Sequence, residues 1–318
     1  MKKFLLYIVC FFVIIVSLFS LLTFVTDRGL RMSEFGNLKE WNDIFDKRIK
    51  PDIIIQGSSR AWVQFNTYLI DSAFHANSYN MGMDGTPFDV QYVKYKLCVE
   101  NKMIPTVILQ NVDWDTMDKN TPVFQKYQFL PYLSNPFFAK QLLKNNIIPC
   151  SDVYLPFLKY AGEPQAIKVG VSEFFGIHHF ISPKHHGFLS VKGNWDGVNF
   201  EKRQKNGKIH WHRNKEVEKM FIDFLVDCHK KKINVVLVFA PLYFELADLI
   251  EDFKGLKTYY STIAEKNSAV FLDFSLDSLS YHKDNFYNAS HLNKKGADAF
   301  TRKLVNKLRY LDDLKITK

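Results

Sequence analysis

Two short segments carry residue types that could perform acyl transfer. An apolar run ends in a serine turn, Ile53-Ile54-Ile55-Gln56-Gly57-Ser58-Ser59-Arg60. Near the other end stands Phe286-Tyr287-Asn288-Ala289-Ser290-His291-Leu292-Asn293-Lys294-Lys295-Gly296-Ala297. A strand that stops at a Gly-Ser turn presents a hydroxyl at a sheet edge, and a histidine just ahead of a helix can be folded beside it. Serine is a weak nucleophile until a base removes its proton. His291 can do so if an acceptor holds its other ring nitrogen. The oxyanion that follows needs backbone N–H donors, which the turn at Ser59 and the glycine turn at Gly85 can supply. This chemistry is ester hydrolysis, or acyl transfer when a sugar hydroxyl is the acceptor. A Gly-Ser-Ser turn alone is common, and a lone histidine is commonly a surface residue. The signal lies in each member falling at a strand end.

Short strands and amphipathic helices must position these groups. Strands are expected at Asp52–Gln56, Ser78–Met81, Thr106–Asp113, Ile233–Ala240 and Val270–Phe274, on β-branched and aromatic content. Phe35–Arg48 reads as a leading helix. Thr86 can cap a helix whose first position is Pro87, with Val90, Val93, Leu97 and Cys98 on its inner face. Val217, Phe221, Phe224, Leu225 and Cys228 mark a second helix face, and Ala297, Phe300, Leu304 and Leu308 a third. Such alternation indicates an α/β fold with a parallel sheet covered on both faces. Ligands then bind at the C-terminal ends of the strands. Ser59, Gly85 and Asp113-Trp114-Asp115 follow the first three strands, and His291 precedes the last helix. Arg60, beside the serine, can pair with an anionic substrate group or form a structural ion pair.

Phe4–Val25 is apolar and uncharged, led by Lys2 and Lys3. About 20 such residues cross a bilayer core of roughly 30 Å. The alternative is a cleaved signal peptide, against which Phe19–Thr23 lacks a small-x-small cleavage pattern. The lysines favour a cytoplasmic N-terminus, so the main domain is expected in the periplasm or outside the cell. The division is a membrane anchor over 1–26, a linker and leading helix over 27–50, and one extracytoplasmic domain over 51–318. Within it, residues 116–214 exceed any ordinary connection and read as a lid over the site. The lid's aromatics are either sugar-stacking platforms or its own small core. The net charge of +9 fits an anionic glycan, a membrane surface, or a merely solvated basic face. The lysines are dispersed and no zinc-finger spacing occurs, which argues against nucleic-acid binding. Cys98, Cys150 and Cys228 beyond the anchor form no C-x-x-C pair, so no disulfide scaffold is indicated. His178-His179, His185-His186 and His210-Trp211-His212 lack zinc-ligand spacing. Neither a metal nor a cofactor is expected.

With these segments in place, the chain resembles the SGNH/GDSL hydrolase superfamily, and more closely the membrane-anchored SGNH-like proteins involved in acylating bacterial cell-surface polymers. Gly57-Ser58-Ser59 matches the Gly-Asp-Ser block, which assigns the nucleophile to Ser59. Asn80-Met81-Gly82-Met83-Asp84-Gly85 matches the second block, whose last glycine donates to the oxyanion. Asn288-Ala289-Ser290-His291 matches the Asp-x-x-His block. The resemblance spans about Asp52–Asp113 and Ile233–Leu308. It implies a three-layer flavodoxin-like fold with about five parallel strands, catalytic Ser59 and His291 with Asn288 as orienting group, and an oxyanion site at Ser59 and Gly85. Asp113 and Trp114, where the third block falls, are candidate substrate contacts with Arg60, but no asparagine stands at Val112–Asp115. Asn288 replaces the expected aspartate. It can orient the imidazole but carries no charge, an exchange that can cost about 10⁴ in kcat in a serine triad. Asp284 is a nearby carboxylate that could substitute. The implied function is extracytoplasmic O-acyl transfer, with acetyl as the expected group, or ester hydrolysis on a surface polysaccharide, with a multi-pass membrane acyltransferase as partner. The alternative is a catalytically degenerate glycan-binding or assembly subunit.

Overall fold

In a computed structural model, the described residues are 1–119, 125–311 and 314, and they form two compact units. One comprises residues 1–48 and 125–182. The other comprises residues 49–119 and 183–311, with Leu314. In chain order the elements begin with α1 (Lys2–Leu30), α2 (Leu38–Phe45), β1 (Ile53–Gln56), α3 (Ser59–Gln64), α4 (Thr67–Phe74), β2 (Ser78–Asn80), α5 (Phe88–Glu100) and β3 (Val107–Asn111). There follow α6 (Pro136–Lys144), α7 (Cys150–Tyr154), α8 (Pro164–Phe174), α9 (Val198–Lys205), α10 (Lys215–Lys230), β4 (Asn234–Phe239), α11 (Phe244–Leu249), α12 (Phe253–Lys266), β5 (Val270–Asp273), β6 (Phe286–Asn288), β7 (His291–Leu292) and α13 (Lys294–Arg309).

The second unit is built on a five-stranded sheet in the order β2-β1-β3-β4-β5, all parallel. Every residue of β1 and β3 is buried. Strands with both faces hidden need helices on both sides, which is why Ile53-Ile54-Ile55 and Val107-Ile108-Leu109 are continuous apolar runs. Val217, Phe221, Phe224, Leu225 and Cys228 of α10 are buried, and Phe221 and Phe224 meet the Phe88 ring of α5. The inner face of α13, including Ala297, Phe300, Leu304 and Leu308, is buried, and its Phe300 packs on Phe65 and Phe274. In the order 2-1-3-4-5 the chain direction across the sheet reverses between β1 and β3, and a crevice opens at their C-terminal ends.

The first unit holds α1, α2, α6, α7 and α8. Thr23, Thr26, Gly29 and Leu30, in the last turns of α1, are buried in it. Trp41, Phe45, Phe129, Tyr132 and Phe138 form its aromatic core. α1 is long and apolar enough to cross a membrane or to serve as a signal sequence.

Two expectations change here. The stretch 116–214 is not one lid: 125–182 packs with residues 1–48, and 183–214 belongs to the sheet unit. Much of its aromatic content fills the core of the first unit. At α5, Pro87 is the N-cap and Thr86 makes no cap bond. The Thr86 carbonyl instead accepts from the Gln91 side chain at 2.9 Å.

Candidate active site

The turn that carries Ser59 is set by one glycine. Gly57 leaves β1 with φ +152°, and a Cβ there would lie 2.6 Å from the Ala61 Cβ and 2.9 Å from the Asn111 Cβ. Only glycine lets the chain turn this close to β3. Ser58 is the N-cap of α3 and Ser59 its first residue, so the Ser59 N–H is among the helix donors that lack an intrahelical partner.

Three buried side chains fix α3. Asn80, at the end of β2, donates to the Ala61 carbonyl at 2.7 Å and to the Phe65 carbonyl at 3.2 Å, and its Oδ1 accepts from the Gly82 N–H at 2.9 Å. Gln64 reaches the carbonyls of Pro241 at 3.3 Å and Ser290 at 3.2 Å, tying α3 to the histidine segment. Arg60 is the third. It is 2% exposed, ion-paired with Asp113, bonded to the Ala240 carbonyl and, at 3.1 Å, to the Pro241 carbonyl. Its guanidinium lies 5.7 Å from the Trp114 ring centroid. Of the two alternatives for Arg60 the structure shows the ion pair: Arg60 and Asp113 are buried on each other, and half-buried Trp114 lies beside the guanidinium. Asp113 also accepts from Ser58 Oγ at 3.3 Å and Asn111 Nδ2 at 2.7 Å.

His291 stands on a two-stranded hairpin. β6 and β7 pair antiparallel with Asn288 opposite His291. His291 Nε2 lies 2.7 Å from Ser59 Oγ, and His291 Nδ1 lies 2.9 Å from Asn288 Oδ1. The Ser290 N–H donates to the same Oδ1 at 3.1 Å. A backbone N–H can only donate, so the amide oxygen, not its nitrogen, faces this point. That oxygen accepts from Nδ1–H, which leaves the Nε2 lone pair toward the serine. Ser290 Oγ, 3.1 Å from Oδ1 and 3.0 Å from Nδ1, completes the cluster. The Tyr287 ring stacks on the imidazole, 5.4 Å between centroids and 14° between planes. Burial first, and the Arg60 charge second, push the His291 pKa down to about 3. The imidazole is therefore neutral, the form a general base requires. Asp284 does not orient it. Its carboxylate is paired with exposed Lys295, a bond that holds it below the usual carboxylate range.

Ser59 opens on a cleft of about 130 Å³ that it shares with Gly85, Asp84, Asp115 and Thr116. Gly85 adopts φ +56°, a left-handed turn conformation that suits glycine. Asn111 does not take the place of the missing third-block asparagine, because its amide donates to Asp113 and it is 1% exposed. Thr116 lines the cleft, and its Oγ1 accepts from the Asp113 N–H at 2.7 Å. Sequence reasoning missed Thr116, Ser290, Gln64 and residues 189–196. The Leu189 and Asp196 N–H groups bond the Trp62 and Tyr287 carbonyls at 3.1 and 2.8 Å, clasping both halves of the site. Ser290 alone had a local signal, its place inside Asn-x-x-His. The histidine pairs of 178–212 lie elsewhere: His179 bonds Glu173, His186 bonds Asp71 and His210 bonds Glu251.

A solved structure of a candidate acylhydrolase from Bacteroides fragilis is similar over 87% of this chain and 99% of its own, with 13% sequence identity and a TM-score of 0.38. No protein-family model matches the sequence. No curated protein matches it either.

Proposed function

We propose that the protein is a serine-dependent esterase or O-acyltransferase of SGNH type, working outside the cytoplasm on an acylated surface polysaccharide. The observation that carries this reading is the relay from Ser59 Oγ to His291 Nε2, and from Nδ1 to Asn288, at 2.7 and 2.9 Å. As the Oγ–carbonyl bond forms, the hydroxyl proton passes to Nε2 and the carbonyl oxygen gains charge. The N–H groups of Ser59 and Gly85 are the donors for that oxyanion. Collapse expels the alkoxide, which takes the proton back from His291. The acyl-serine then passes its acyl group to water or to a sugar hydroxyl.

Membrane anchoring supports the same placement. The last turns of α1 are built into a packed unit, where Asp27 accepts from Lys159 Nζ at 2.7 Å and from Tyr160 Oη at 2.5 Å. Cleavage near residue 25 would remove buried Thr23, which bonds the Pro156 carbonyl, and would leave Asp27 at a new chain end, which favours α1 as a retained span with Lys2 and Lys3 on the cytoplasmic side. A multi-pass membrane acyltransferase would then be the source of acyl groups.

The test is labelling by a fluorophosphonate probe, with acyl content of the surface polysaccharide measured in parallel. Wild type should label and Ser59→Ala should not, and the substitution should change acyl content, downward if the acyl-serine passes to sugar and upward if it passes to water. The neutral Asn288 and the weakly basic His291 favour a second reading, a glycan-binding or assembly subunit that has lost the chemistry. Under it the wild type is inert to the probe and Ser59→Ala has no effect on acylation.

A further inference from the structure

The unit built from residues 1–48 and 125–182 keeps a large apolar surface next to α1. Tyr154, Leu155 and Leu158 are exposed on one segment, and Phe174, Phe175, Ile177 and Ile181 on another, with Ile181 at 85% and Ile177 and Tyr154 each at 73%. Seven large apolar side chains in two short stretches exceed the scattered exposure normal for a soluble surface. The first stretch adjoins the last apolar turns of α1, and the second follows α8, which packs on the end of α1, and reaches residues 34–35 beyond it. Thr23 Oγ1 bonds the Pro156 carbonyl at 3.4 Å. At Gly29 and Gly170 the backbones of α1 and α8 touch: a Cβ on Gly29 would fall 1.7 Å from the Gly170 carbonyl oxygen, and one on Gly170 would fall 2.6 Å from the Thr26 carbonyl oxygen. Small residues permitting such contact are how helices associate within and at the edge of bilayers.

Between these parts lies an apolar cavity of about 190 Å³, walled by Phe19 and Leu22 of α1 and by Phe157, Leu158, Ala161 and Ile167. Phe19 and Leu22 belong to the last turns of the apolar stretch, the depth at which a span leaves the hydrocarbon. Residues 154–158 and the cavity are therefore continuous with the membrane-facing surface of α1.

We propose that residues 154–158 and 174–181 contact the leaflet from which α1 emerges, and that a lipid acyl chain occupies the cavity that Phe157, Leu158 and Ile167 form with α1. The unit would then be held against the bilayer by an interfacial surface as well as by its single span. The inference rests on the reading of α1 as a membrane span.

The test uses the full chain, with Cys10→Ser and Cys150→Ser to remove exposed thiols, in phosphatidylcholine–phosphatidylglycerol vesicles. Nitroxides are placed singly at Ile177→Cys, Leu158→Cys, Lys140→Cys and Phe12→Cys, and power saturation compares collisions with oxygen and with a water-soluble nickel chelate. The oxygen-to-nickel ratio at positions 177 and 158 should exceed that at 140 several-fold and approach that at 12. A ratio at 177 and 158 equal to that at 140, with position 12 in lipid, overturns the inference and leaves the span intact. Water exposure at position 12 as well overturns both.

Discussion

Asn288→Asp tests whether His291 is the base and how much the neutral amide costs. In a serine triad, loss of the aspartate charge also lets the imidazole take the wrong tautomer, and the penalty combines both effects. Here the Ser290 N–H holds the acceptor oxygen toward Nδ1, so the tautomer is already correct and only the charge is missing. A carboxylate would occupy the same place, 2.9 Å from Nδ1. An opposite charge at this range raises a pKa by about 1–3 units. His291 would move from about 3 to roughly 4–6. Each unit is worth about 1.4 kcal/mol of imidazolium stabilisation. If that is expressed in the transition state, acylation accelerates by roughly 10- to 10³-fold. The assay is the pseudo-first-order rate of fluorophosphonate labelling at pH 7, with the His291 titration followed by NMR in the same variant. Asn288→Ala, which removes the acceptor altogether, should label more slowly than wild type. A histidine pKa that rises as expected while labelling stays flat or falls would refute His291 as the proton acceptor.

The low His291 pKa sets the pH response: wild-type labelling should be level from pH 8 to 5 and fall only as pH approaches about 3, in contrast to the decline near 6.5 of an ordinary histidine. The unfolded chain protonates this group first, so its contribution to stability is complete above about 6.5 and is lost as pH falls toward about 3. His291→Gln should flatten the denaturation midpoint in that window. Arg60→Ala strands the buried Asp113 carboxylate and should cost about 3–5 kcal/mol in chemical denaturation, whereas the double change Arg60→Met with Asp113→Leu should cost less. Gly57→Ala must push apart Ala61 and Asn111 and should destabilise by about 1–3 kcal/mol, with slower labelling because Ser59 shifts. Among the described residues, the cleft beside Ser59 is lined by Asp84 and Asp115 and by no basic side chain. Asp84→Asn with Asp115→Asn should therefore raise hydrolysis of an anionic aryl succinate relative to the neutral acetate at pH 8, where Asp115, pushed up to about 7 by burial, is ionised. An effective energy of about 1 kcal/mol per charge, the value in water at 4 Å, gives a several-fold change per residue.

The sequence by itself determined the strands, the sheet class and the two ends of the site. Runs such as Ile53-Ile54-Ile55 and Val107-Ile108-Leu109 can be satisfied only where both faces are covered, and helical spacing in 217–228 and 297–308 provides the cover. The strand limits shifted by a residue or so, since hydrogen bonding rather than apolar content ends a strand. Ser59, His291, Asn288 and Gly85 were legible because each stands in a local pattern beside a strand or turn. The roles of Arg60 and Asp284 were not, because a charged side chain announces its charge and not its partner. Arg60 found Asp113, 53 positions away, and two carbonyls 180 and 181 positions away, while Asp284 found solvent-exposed Lys295. Nor could spacing reveal that residues 125–182 join the N-terminal helices and that 189–196 clasp the site hairpin. Those pairings are long-range burial, decided by which apolar surfaces meet when the chain closes. The tertiary structure also decided the proton's position, since one backbone N–H at Ser290 fixes the Asn288 oxygen and through it the nitrogen that faces Ser59.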